Sequence, residues 1–204
     1  EDKKRAVLMG DSLRHRGPDD SGVWIEPGFG IGVSHTRLSI QDLSSAGSQP
    51  MNSRSGRFVI AFNGEIYNFK ELAGELRESQ YVLEGGSDTE VLLGCIECFG
   101  LKKTLSLIIG MFAFAFLDLR KRRLFLARDP YGVKPLYYRS QKGRFSFASE
   151  VKPLLDGQET ADPAIVHRYL RYAVTDADER TFFSGIKQVL PGQCLEIPID
   201  SPDK

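Results

Sequence analysis

Met111-Phe112-Ala113-Phe114-Ala115-Phe116-Leu117 alternates large and small apolar residues and offers no polar face. A strand of that pattern is covered on both sides, so packed layers are expected above and below it. Strand-like runs at Arg123–Ala127, Leu136–Arg139 and Phe145–Ala148 follow at a spacing of about ten residues, with short polar turns, which predicts an antiparallel meander. Upstream lie further runs at Val23–Ile25, Gly30–Ile40 and Arg57–Phe62, and a last one at Gln193–Ile197 after the Pro191-Gly192 turn.

Helices are read between these runs. Ala6–Leu13 forms a short one. Phe69, Leu72, Ala73 and Leu76 recur at helical spacing, giving an amphipathic helix. Ser87-Asp88-Thr89-Glu90 is a capping box, in which Ser87 caps and Glu90 reaches back. Leu92, Cys95, Ile96 and Phe99 then line that helix's buried face. Asp162-Pro163 opens a helix that carries Ile165, Val166, Tyr169 and Leu170. With no internal repeat and no long linker, residues 1–204 read as one α+β domain with helices outside stacked antiparallel sheets.

Composition excludes several function classes. The 204 residues are 41% hydrophobic and 26% charged, an ordinary globular balance. Lys+Arg and Asp+Glu both number 27, so neither nucleic acid nor an anionic membrane surface is an expected partner. The run Leu107–Leu117 is broken by Gly110 and too short to span a bilayer. Glu1-Asp2-Lys3-Lys4-Arg5 is no signal-peptide opening, which leaves a cytoplasmic setting as the expectation. Cys95 and Cys98 have C-x-x-C spacing, but no second pair or histidine cluster completes a metal shell, and both are expected to pack in the core of their helix. His15, His35 and His167 are scattered and receive no chemical role.

Asn63-Gly64-Glu65-Ile66-Tyr67-Asn68 follows directly on Arg57–Phe62. Asn-Gly between strand-like runs is a hairpin-turn signal. A carboxamide donor beside an unhindered glycine N–H at a strand end is also what an oxyanion hole requires. The residues alone leave both readings open. Likewise Arg37 reads as a solvated strand arginine or a carboxylate ligand, and Asp88 as a first-turn complement to the helix dipole or an ammonium ligand. Arg128-Asp129 reads as an ion pair or turn lock.

In chain order, Arg14-His15-Arg16-Gly17-Pro18-Asp19-Asp20-Ser21-Gly22, Arg37-Leu38-Ser39-Ile40, Gln49-Pro50-Met51, the Asn63 hexapeptide, Ser87–Val91, Gly110–Ala115, Ala127–Tyr138 and Phe147–Lys152 resemble the glutaminase half of glutamine-hydrolysing asparagine synthetases. The resemblance runs from about Leu13 to Ile197. It implies a four-layer αββα sandwich of the N-terminal-nucleophile hydrolase type, two antiparallel sheets flanked by helices. It also implies L-glutamine as substrate. Arg37 would grip the α-carboxylate, with backbone groups around Leu38, Ile40 and Gln41 completing that pocket. Asp88 would hold the α-ammonium, Glu65 would line the cavity, and Asn63 with Gly64 would form the oxyanion hole.

The family's nucleophile is a cysteine at the mature N-terminus whose α-amine serves as base, a near-matched pair with pKa values of ~8.5 and ~7.7–8.0. This chain opens on Glu1, and its first cysteine is Cys95. The first strand is therefore expected to be missing, and the chain as it stands is expected not to hydrolyse glutamine. No Ser-Gly-Gly-x-Asp-Ser run is present, so no cofactor is expected in this domain. ATP and Mg²⁺ belong, on the resemblance, to a C-terminal synthetase domain that amidates aspartate or another carboxylate. Enzymes of this type are often homodimers. A non-catalytic glutamine-binding or interaction module of the same fold is the alternative.

Overall fold

The structure, a computed structural model, describes residues 2–38, 47–141 and 143–201. Its centre is a five-stranded antiparallel sheet in the order β10-β6-β5-β4-β3. These are Cys194–Pro198, Arg123–Arg128, Gly110–Asp118, Phe58–Ile66 and Met51–Asn52. The alternation in β5 has the consequence expected of it. Phe112, Phe114 and Phe116 enter one core with Phe58, Ile60 and Phe62 of β4, and Ala113, Ala115 and Leu117 enter another on the opposite face.

The phenylalanine face is covered by α2 (Phe69–Glu78) and α3 (Asp88–Phe99), with α4 (Leu101–Leu107) beside them. Against the alanine face pack Val33, Trp24, Tyr138, Phe145 and Phe147. They come from β1 (Asp20–Glu26), β2 (Ile31–Arg37), β7 (Tyr137–Gln141) and β8 (Arg144–Ala148). This second β layer consists of two antiparallel ladders, β1-β2 and β8-β7-β9, with β9 at Lys187–Gln188. Helix α1 (Asp2–Asp11) lies outside it, burying Ala6, and helix α5 (Pro163–Tyr172) buries Ile165. The layers run helix, sheet, sheet, helix.

Several expectations are corrected. Asn63-Gly64 is no turn: β4 continues to Ile66, and Asn63 and Gly64 pair with Ala113 and Phe112. The long apolar partner β5 supplies cross-strand contacts that outweigh the local turn preference. The predicted meander is split, since β5-β6 belong to the central sheet and β7-β8 to the other layer. Ser87 Oγ does accept from the Glu90 N–H at 3.2 Å, but the Glu90 carboxylate turns away to the N–H groups of Glu84 and Gly85. Cys95 is buried whereas Cys98 is exposed, three residues along the same helix and off its apolar face. In α5, Tyr169 and Leu170 are exposed as well. Arg128 and Asp129 lock a turn, though each through its own set of partners, backbone groups with Gln188 Oε1 added for Arg128, and not as a pair.

Candidate active site

Strand alternation builds the site. Val33 points at the central sheet, so His35 and Arg37, two and four residues on, share the inner face of β2. On β5, across from Gly64 of β4, Phe112 donates its N–H to Asp129 Oδ2 at 3.2 Å and accepts the Asp129 N–H at its carbonyl at 2.8 Å. Gly64 and Phe112 are therefore a non-hydrogen-bonded pair, and the Gly64 N–H points to the opposite edge of β4. Along that edge the Phe62 N–H donates to Gln49 Oε1 at 2.6 Å, and the Ile66 N–H donates to Asp88 Oδ2 at 3.0 Å. The Gly64 N–H between them faces a pocket.

That pocket has a volume of about 320 Å³, enough for an amino acid. Arg37, Leu38, Asn63, Gly64, Glu65 and Asp88 all line it. Ile40 and Gln41, the remaining residues singled out from sequence, lie outside the described residues. The walls carry charge of both signs, Arg16, Arg37 and Lys134 against Glu65 and Asp88, which suits a zwitterion better than a single-sign ligand. Arg37 is set by Gly47: a Cβ there would stand 2.2 Å from a terminal guanidinium nitrogen. Asp88 sits in the first turn of α3, and its bond to Ile66 ties that helix to the end of β4. Burial pushes the Asp88 carboxyl above its ordinary pKa, with Glu65 adding to the effect, although the Ile66 and Thr89 N–H groups pull the other way.

A second cavity, a cleft between the β2 and β8 edges, adjoins the pocket. It is floored by Ala61, Ala113 and Ala115 and roofed by Asp2, Arg5, Ala6 and Met9 of α1. Six residues are common to both cavities: Leu13, Ser34, His35, Phe62, Asn63 and Ser149. Asn63 pairs with Ala113 and so points into the space between the two β layers, at the junction of pocket and cleft.

Sequence reasoning assigned no role to His35, Gln49, Arg16 or Lys134, all of which line the pocket. His35 had a legible signal, its two-residue offset from Arg37 on one strand. Gln49 had none, because its side chain meets the Phe62 N–H across the β3-β4 ladder, in line with the Met51–Ile60 pair, a contact that no local period encodes. Among the described residues no group of three or more His, Cys, Asp or Glu side chains is placed to hold a metal ion. Among them, too, no helix is long and apolar enough to cross a membrane.

The sequence profile of the glutamine amidotransferase domain matches residues 1–202. Asparagine synthetase [glutamine-hydrolyzing] 1 of Bacillus subtilis is 36% identical over 94% of this chain and 30% of its own length. The amidase chry2 of Gibberella zeae is 35% identical over 91% of this chain and 27% of its own. The chain thus spans less than a third of the length of these curated relatives. Among solved structures, the glutamine phosphoribosylpyrophosphate amidotransferase of B. subtilis, complexed with ADP and GMP, superimposes with a TM-score of 0.70. It covers 96% of this chain and 44% of its own at 21% identity, and so speaks for the fold. On the profile match over almost its whole length, the chain belongs to the glutamine amidotransferase domain family.

Proposed function

We propose that this chain is the glutaminase portion of a longer, asparagine synthetase-like enzyme, binding L-glutamine in the pocket and releasing its amide nitrogen as ammonia. The observation that carries this is convergence. A guanidinium, a carboxylate and an outward strand N–H beside a carboxamide meet in one cavity of amino-acid size. Arg37 takes the α-carboxylate, a bidentate match for a planar donor. Asp88 takes the α-ammonium, and Glu65 lines the wall beside it. Leu38 lines the rim, and Ile40 and Gln41, outside the described residues, keep only the carboxylate-binding role that the resemblance implies. The Gly64 N–H and the Asn63 carboxamide receive the oxyanion, each supporting the transition state by about 3–4 kcal/mol.

The thiol comes from outside residues 1–204. Burial pushes Cys95 up to about 12, and it raises Cys98 and Cys194 as well, which leaves each a poor nucleophile at neutral pH. None of the three lines the pocket or the cleft. A strand lying in the cleft between β2 and β8 would deliver a thiol to the junction where Asn63 points. The thiol adds to the amide carbon, ammonia leaves, and water then cleaves the glutamyl thioester to glutamate and thiol. Ammonia passes to an ATP-activated carboxylate, aspartate first among them, in a C-terminal synthetase portion that holds ATP and Mg²⁺. The setting is cytoplasmic.

The test is covalent labelling of the full-length protein with a diazo-ketone analogue of glutamine. One thiol outside this chain should be modified, and Arg37→Ala should abolish the labelling at modest analogue concentration while the fold persists. Labelling of Cys95, Cys98 or Cys194 would overturn the proposal. Glutamine binding with no labelling and no ammonia release would favour the non-catalytic module instead.

A further inference from the structure

Two side-chain atoms at the junction of pocket and cleft are orphaned. His35 Nδ1 and Asn63 Nδ2 are both shut off from solvent, and neither has a hydrogen-bond partner among the described residues. Their polarities are fixed. His35 Nε2 lies 3.0 Å from the Phe62 carbonyl oxygen, which can only accept, so Nε2 carries the proton and Nδ1 keeps its lone pair. Burial favours this neutral ring, holding the imidazole below its ordinary pKa. Asn63 Nδ2 can only donate. An acceptor and a donor thus border the same two cavities without meeting each other, and buried groups in this position are characteristically joined by an ordered water.

We propose that His35 is a positioning residue of the glutaminase site, its Nδ1 and Asn63 Nδ2 holding one water between them. The inference rests on the functional reading above. The water donates to Nδ1 and accepts one N–H of the carboxamide, which fixes the carboxamide plane and leaves its second N–H for the oxyanion. His35 also holds Phe62, the residue before Asn63, through Nε2. Backbone and side chain of the oxyanion donor are therefore set from the two nitrogens of one ring. Without the water, the carboxamide has no fixed rotation, and the reacting geometry loosens while the grip of Arg37 and Asp88 on the substrate is untouched.

The two ring nitrogens separate this role from plain structural support. In the full-length enzyme, His35→Asn keeps a δ-position acceptor but loses the bond to Phe62, whereas His35→Gln keeps an ε-position donor and loses the acceptor. Glutaminase kcat is expected to fall about 10- to 100-fold in His35→Gln and His35→Phe, and less than about 5-fold in His35→Asn, as a small misplacement of a catalytic donor implies. KM for glutamine should stay within about twofold in all three. The reverse order, Gln retaining kcat and Asn losing it, would reduce His35 to a brace on Phe62 and overturn the proposal. So would three unaffected variants, or an effect confined to KM. A crystal structure of the wild-type protein gives a readout independent of folding of the variants and of activity. A water bonded to both atoms is expected, and direct contact of Nδ1 with Nδ2, or no water there, would overturn it. Wild-type enzyme that releases no ammonia would instead sink the functional reading, and the water would still decide this one.

Discussion

Gly64 and Phe112 stand opposite each other on β4 and β5 so closely that a Cβ on Gly64 would lie 2.2 Å from the Met111 carbonyl oxygen and 2.7 Å from the Phe112 Cα. The glycine is required by backbone, which cannot move aside as a side chain can. Gly64→Ala should splay β4 from β5 and carry the outward N–H away from its place. Overpacking of this kind costs about 1–3 kcal/mol of stability. The misplaced donor should cost about 10²-fold in glutaminase kcat. Thermal melts and steady-state kinetics of the full-length variant check the two effects separately.

Arg37 offers the opposite case. A Cβ on Gly47 would press on the guanidinium of Arg37, the far end of a flexible side chain and not backbone. Gly47→Ala should therefore leave the melting temperature nearly unchanged while turning the fork out of register with a carboxylate. A charge-assisted bidentate contact is worth about 1.5–3 kcal/mol. KM for glutamine should rise about 10- to 100-fold with kcat retained, provided Arg37 binds the α-carboxylate. A fall in kcat at constant KM would place Arg37 elsewhere in the reaction.

The layered fold was legible because β5 encodes it locally: each Phe and each Ala names its own face. The position of the site was legible only in pieces. Asn63-Gly64 carries a turn signal that local chemistry cannot overrule, and only pairing with Ala113 and Phe112 makes it a strand. The transfer of β7-β8 to the other layer is equally invisible, since the spacing between strands says nothing about which sheet receives them. The short helix α4 went unread because its 7 residues carry only one i, i+4 apolar pair, Leu101 and Leu105, too short a stretch to show a period. Gln49, which fixes Phe62 at 2.6 Å, is a contact across a chain reversal and has no periodic signature.

Asp88 predicts a pH dependence. Burial raises its pKa, so the carboxyl protonates at a higher pH than an exposed aspartate near 3.9. Protonation removes the charge that would hold the substrate ammonium. The acid limb of kcat/KM for glutamine, which reports the free enzyme, should accordingly lie above the ordinary aspartate value. Asp88→Asn should flatten that limb and raise KM by about tenfold or more at neutral pH. A limb unmoved in Asp88→Asn would assign the titration to another group.

The last prediction concerns the loop that follows β6. Asp129 is fully buried, and its carboxylate accepts from the N–H groups of Phe112, Tyr131, Val133 and Lys134 at 3.0–3.2 Å. Arg128 completes the lock by donating to the carbonyls of Gly132, Lys134 and Val189 and to Gln188 Oε1. Burial works against the Asp129 charge, yet the four donors prevail and hold its pKa below the ordinary value. The folded form therefore binds its proton less readily than the unfolded chain. The stability this contributes is complete above about pH 4 and is lost as pH falls through the depressed folded value. Asp129→Asn would turn an amide N–H₂ toward some of these donors, orphaning at least one, and should cost about 3 kcal/mol or more at neutral pH. Its acid sensitivity should be reduced, not abolished, because Asp118 and Glu150 are likewise held below their ordinary values. Urea midpoints at neutral and acid pH give both numbers. An Asp129→Asn protein as stable as wild type at neutral pH would mean the loop is held by Arg128 alone.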